Sequence, residues 1–166
     1  MTPEMYLVRY GTVPEVARCR SDSGEPYGRG TAVVVQTHRG LQCGTVLERV
    51  RPTGDETEFR ILRVATEADR TALEQGRQRA EAEFSRWQER IAEWNLHLEL
   101  IDVEWTLDGA KQILYVLTER GPESTQLALQ AAAAGLGLIE VQPVSAEGVI
   151  PTRGGGCGSG GCGCGH

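Results

Sequence analysis

Apolar and polar residues alternate along Leu98–Thr118, LELIDVEWTLDGAKQILYVLT, and Asp108-Gly109 interrupts the run at its middle. A period of two marks a half-buried strand, and Asp-Gly tolerates the positive φ that both central residues of a type I′ turn require. The pattern predicts a hairpin turning at Asp108-Gly109. Trp105 then faces Gln112, Val103 faces Leu114 and Ile101 faces Val116, forming one strongly apolar surface. The reverse surface sets Leu100, Asp102 and Glu104 against Leu117, Tyr115 and Ile113, acids against apolar groups, so it is only half committed to a core.

Before this hairpin, short β-rich runs alternate with turns: MYLVRY, VARCR, then TAVVVQT and LQCGTVLERV joined through Arg39-Gly40. Gly44 inside the last run predicts a bulge or a close backbone approach, the device by which small sheets curl toward barrels. Cys19 and Cys43 fall within strands and read as small buried hydrophobes. His38, beside Arg39 at a turn, reads as solvated.

The period then changes. Leu73, Ala80, Phe84, Trp87, Ile91 and Trp94 recur at helical spacing, and Thr66-Glu67-Ala68-Asp69 has the form of a capping box, predicting a helix over 66–94. At roughly 43 Å it outruns a strand of roughly 27 Å, so its first turns overhang toward the amino-terminal sheet or bend at Gly76. Gly121-Pro122-Glu123 opens a second helix that Gly135 and Gly137 end, and 138–144 forms a last strand. With 59–64 as a strand, the order from there is β, α, β, β, α, β, a ferredoxin-like antiparallel sheet carrying two helices on one face. The predicted class is α+β: a small barrel-like β unit over 1–58, a ferredoxin-like unit over 59–150, and a glycine-cysteine tail over 151–166.

Composition narrows the function. A net charge of -6 argues against a free-standing nucleic-acid binder, as does a sheet face offering Tyr115 among acids where RNA-binding sheets carry stacking aromatics. No secretory pattern opens the chain and no run approaches the ~20 apolar residues of a membrane span, so a cytoplasmic protein is expected. None of the three histidines sits in a recognisable nucleophile–base pair, and no phosphate-cradling glycine loop joins a strand to a helix, so an enzyme is not expected.

The tail carries the chemistry. From Arg153 to His166 there are eight glycines, three cysteines and one histidine, and no apolar side chain to hold the backbone to a core. Thiolates spaced C-x4-C-x-C, at Cys157, Cys162 and Cys164, can converge on one soft metal, with His166 as a fourth donor for tetrahedral Zn²⁺. The competing reading is a disordered glycine-rich end whose cysteines have no role, or a redox-labile tail.

Several stretches resemble the bacterial RicT/YaaT family, also called the PSP-one C-terminal domain: 8–11 (VRYG), 33–47 (VVVQTHRGLQCGTVL), 62–69 (LRVATEAD) and 100–118 (LIDVEWTLDGAKQILYVLT). The resemblance runs to about Val144. It implies a non-catalytic subunit of a small cytosolic complex that binds iron–sulfur clusters and influences RNase Y-dependent mRNA maturation and phosphorelay signalling. It also implies a Cys-Gly-x-x-x-Cys-Cys motif after the last strand. Cys157 and Cys162 keep that spacing, and Cys164 is displaced by one glycine. A [4Fe-4S] cluster takes four ligands as a rule, so the tail needs a further donor from a partner, from Cys19 or Cys43, or from a non-cysteine group. The leading expectation is an adaptor whose protein partners include RNase Y; the alternative is a metal or iron–sulfur carrier acting through the tail.

Overall fold

The structure, a computed structural model, describes residues 3–54, 56–118 and 121–150. Five strands close a barrel in the order β1-β2-β5-β3-β4: β1 (Glu4–Tyr10), β2 (Glu15–Ser21), β3 (Ala32–Thr37), β4 (Gly40–Val50) and β5 (Arg60–Val64). Alternate side chains point inward, so Tyr6, Val8, Val33, Val35 and Val46 fill the interior with Cys19 and Ile61. Gly44 faces the same interior. A Cβ there would lie 2.6 Å from Val8 Cγ1 and 3.1 Å from the Arg9 carbonyl oxygen, so the close approach predicted for this glycine is real.

The helix α1 (Glu67–Glu93) begins at an N-cap Thr66, whose hydroxyl accepts from the Asp69 amide while Asp69 accepts from the Thr66 amide, completing the capping box. It ends in a Schellman motif. Asn95 adopts φ 54°, its amide reaches the Ala92 carbonyl and the Leu96 amide reaches that of Ile91. Gly135 ends α2 (Gly121–Ala133) in the same way, with φ 68° and bonds to Ala132 and, from Leu136, to Ala131.

A second sheet has the order β6-β7-β8-β9: β6 (Glu99–Trp105), β7 (Gln112–Leu117), β8 (Ile139–Ser145) and β9 (Gly148–Val149). Pairs β6–β7 and β8–β9 are antiparallel, while β7 and β8 run parallel through the α2 crossover. Trp87, Ile91, Leu127 and Ala131 of the helices bury against Leu100, Val103, Leu114 and Val116 on one face. The other face, with Ile113, Tyr115 and Val144, meets Val13 of the β1–β2 loop.

The α+β class and the amino-terminal barrel match the sequence reading, but three details differ. The strand expected to open the ferredoxin-like unit belongs to the barrel, where β5 lies parallel to β2 and antiparallel to β3. Without it both neighbours would expose unpaired edges; with it Ile61 enters the barrel core and the sheet closes. The fourth place in the second sheet falls to β9, and that sheet is mixed.

The hairpin register also departs at one point. Trp105–Gln112 and Val103–Leu114 pair as predicted, but Leu100, not Ile101, lies opposite Val116. Ile101 is the extra residue of a bulge and is 45% exposed. Strict alternation would have turned Ile101 and Glu99 toward the helices; the bulge turns Leu98 and Leu100 there, alongside Val103.

Lastly, Asp108 does not take positive φ; only Gly109 of the pair does, at 68°. The turn is a wider loop over 107–110. Asp108 Oδ1 accepts from the Ala110 amide and the Thr106 hydroxyl, and the Leu107 amide donates to the Leu41 carbonyl at 2.8 Å. That last bond ties the loop to the barrel, which a two-residue turn would not reach.

Candidate functional site at the barrel–sheet junction

The tight β3–β4 turn, Thr37 to Gly40, is driven against the second sheet. Gly40 sits at φ 125°, which strains any side chain, and a Cβ there would crowd Thr106 Cγ2 at 3.3 Å. This docking carries the Arg39 side chain entirely out of solvent. Its Nη1 donates to Glu15 Oε2 at 2.5 Å and its Nη2 to Gln142 Oε1 at 2.8 Å, and its guanidinium lies 5.8 Å from the Tyr115 ring centre. Arg39 Nε lies 4.0 Å from Glu140 Oε1 and has no hydrogen-bond partner among the described residues.

Glu104 of β6 is the second centre. Its carboxylate accepts from the Thr12 amide, from Gln42 Nε2 and, at 3.2 Å, from the Tyr115 hydroxyl. Gln42 Oε1 in turn accepts from Thr37 Oγ1 at 2.6 Å, and the Arg39 amide donates to that hydroxyl. Gln142 Nε2 closes the far side through the Pro143 and Ile150 carbonyls. Burying charge is costly unless its hydrogen-bonding capacity is met, and here, Arg39 Nε apart, the two hairpins and β8 meet it mutually.

Electrostatics follow from this burial. Loss of solvent and the adjacent Glu104 carboxylate push the Tyr115 phenol far above its ordinary value, and burial with Glu15 does the same to Tyr10. Burial works against the Arg39 charge, but the hydrogen bond to Glu15 and the charge of its carboxylate outweigh it. Neither phenol ionises at neutral pH. The network acts as a clamp between the layers.

Beside the clamp lies an open groove of about 550 Å³, whose lining includes Glu15, His38, Arg39, Phe59, Gln142 and Val149. His38 is exposed, as expected at a turn, and rests edge-on against Phe59 with centroids 5.6 Å apart. Partial burial and then Arg39 lower its pKa, leaving the ring neutral at pH 7. Of the ionisable groups in this groove, Glu15 and Arg39 are already engaged with each other.

The predicted ligands Cys157, Cys162, Cys164 and His166 lie outside the described residues. Cys19 is fully buried in the barrel, and burial pushes its thiol up to about 12, which closes it to a metal. Cys43 is half-buried and points outward from β4 toward α1; its pKa is raised by burial and then by Asp69. Its expected place in the core is therefore corrected: inward positions of β4 alternate with it. Among the described residues, no group of three or more His, Cys, Asp or Glu is placed to hold a metal ion. No described helix is long and apolar enough to cross a membrane. Arg39, Gln42 and Gln142 were not singled out by the sequence. Gln42 and Gln142 do interrupt apolar strand runs, a weak signal of buried polar partners.

Comparison with known proteins bears on the same region. Residues 59–121, which include β5, α1, β6 and β7, match the PSP1 C-terminal conserved region. The chain is 26% identical over 118 residues to the stage 0 sporulation protein YaaT of Bacillus subtilis (strain 168), a match covering 69% of this chain and 43% of that protein. The chain thus spans less than half the length of the relative it matches. No solved structure matches the chain at a significant level.

Proposed function

Because the chain belongs to the PSP1/YaaT (RicT) family, we propose that it is a non-catalytic regulatory subunit, a rigid platform that docks protein partners and carries a metal or cluster on its carboxy-terminal cysteines. The observation that carries this reading is the kinship with YaaT over two thirds of the chain. The junction supports it: Arg39 is held by Glu15 and Gln142, and Glu104 by Thr12, Gln42 and Tyr115, which suits a scaffold holding two layers in fixed relation. By family resemblance, the partners belong to an RNase Y-associated complex acting in mRNA maturation or in phosphorelay signalling within the cytoplasm.

Cys157, Cys162 and Cys164 supply the thiolates for a [4Fe-4S] cluster, with a fourth ligand from His166 or a partner; Zn²⁺ is the alternative occupant. Soft sulfur donors suit either occupant, and with Cys19 enclosed the barrel interior offers them no help. A bound cluster would supply redox or oxygen sensitivity, and the chain's own part is to tether it to the platform.

Anaerobic purification followed by iron, sulfide and zinc analysis tests the tail. The unaltered chain is expected to hold metal, and a Cys157→Ser, Cys162→Ser, Cys164→Ser variant to lose it. Equal, near-zero metal in both would remove the tail from the reading. Partner co-purification with that triple variant tests the platform separately: partner retention locates docking in residues outside the cysteines, and loss makes the tail itself the connector, as a carrier requires.

A further inference from the structure

Across Tyr10 and Pro14 from the Arg39 groove, a second cleft lies between the outer faces of β1 and β4 and the first turns of α1. Arg9 and Thr45 are paired across β1 and β4 on the outward row, and Cys43 lies two residues on, so all three share one face. Along α1, Arg70, Leu73 and Arg77 recur at intervals of three and four and so share the helix face turned to this surface. Together they line a cleft of about 210 Å³ that Arg9, Arg70 and Arg77 all border, and no carboxylate takes part in the lining.

The arginines are not there to satisfy buried acids. Arg70 has an exposed pair with Glu67 at 2.8 Å, while Arg9 and Arg77 have no ion-pair partner among the described residues. Two acids close to Cys43 are committed elsewhere: Asp69 to Arg63 and the Thr66 cap, Glu104 to Thr12, Gln42 and Tyr115. Two arginines unpaired among the described residues, and a third held only by an exposed carboxylate, border one concavity, a local concentration of positive charge in a chain of net charge -6 that an anion would relieve.

We propose that this cleft binds a phosphate monoester, the phosphorylated serine or threonine side chain of a protein partner. The planar guanidinium fork matches phosphate oxygens and holds its charge at any physiological pH. The volume is several times the ~30 Å³ share of one water, room for a phosphate group and the stem that carries it. A polynucleotide fits less well. It needs a basic track along several phosphates and faces on which bases stack, whereas here the three arginines border one small cleft and the lining aromatic, Tyr10, is 4% exposed.

The full chain can be titrated with inorganic phosphate, a phosphoserine heptapeptide, its unphosphorylated form and a single-stranded RNA of 20 nucleotides. Carbamidomethylation of Cys43, followed peptide by peptide, serves as a local readout. Phosphate and the phosphopeptide are expected to bind and to slow Cys43 labelling several-fold, with the unphosphorylated peptide inert. Tighter binding of the phosphopeptide than of phosphate would identify the protein-borne source, and equal binding a free phosphorylated compound; both support the site. Arg9→Ala with Arg77→Ala should weaken binding at least tenfold with an unchanged melting curve. Glu67→Gln, which frees Arg70, should tighten it about twofold, an effect with no counterpart in a purely structural role. Absence of phosphate binding, or RNA binding that phosphate does not displace, overturns the proposal. None of these variants touches the cysteine tail, so the regulatory reading stands or falls separately.

Discussion

Truncation of Glu104 to alanine should separate the two layers energetically. In the folded chain its carboxylate accepts from Thr12, Gln42 and Tyr115, contacts spanning 92, 62 and 11 residues of sequence. Thr12 is exposed, so its amide recovers water when the carboxylate is gone. Gln42 and Tyr115 are 2% and 0% exposed and cannot. Two stranded donors at about 1–3 kcal/mol each give a loss of about 2–6 kcal/mol, toward the lower end if a water enters the space left. Against a total of order 5–15 kcal/mol that is a large share. Urea unfolding followed by the fluorescence of Trp87, Trp94 and Trp105 reads the loss directly. A double-mutant cycle with Gln42→Ala should return a coupling of about 0.5–3 kcal/mol, since the pair shares one bond. Glu104→Ala within about 0.5 kcal/mol of the unaltered chain, the range of an ordinary surface change, would refute the clamp.

Gly44→Ala should cost about 1–3 kcal/mol in thermal or urea unfolding, because its Cβ meets Val8 and the Arg9 backbone inside a closed barrel. Arg63 and then the Thr66 amide hold the Asp69 carboxyl well below the usual range. Its stabilisation is therefore complete above the unfolded value near 4 and is lost as pH falls toward the folded one; Asp69→Asn should flatten the acid limb of the Tm–pH profile. Cys19 should resist thiol reagents until the barrel opens, while Cys43 reacts in the folded chain, a contrast read by peptide-level labelling in rising urea.

Local chemistry was legible in advance. The capping box at Thr66, the helix stripe ending at Trp94, the glycine stop at Gly135 and the close approach at Gly44 each depend on residues within a few positions or on a missing side chain, so sequence alone specified them. The register of the 98–118 hairpin followed from alternation until the core required two leucines in place of Ile101. Long-range competition decided the remainder. The run 60–64 pairs equally well in either sheet by its own pattern, and only the open edges of β2 and β3 claimed it for the barrel. Arg39 reads as a surface residue in any window of its neighbours; its burial depends on Glu15 and Gln142, 24 and 103 residues away. Likewise Arg9 borders one cleft with Arg70 and Arg77 only once the barrel has closed beneath α1. Sequence fixes what a residue prefers next to its neighbours, and the closed fold decides which distant groups share the burial.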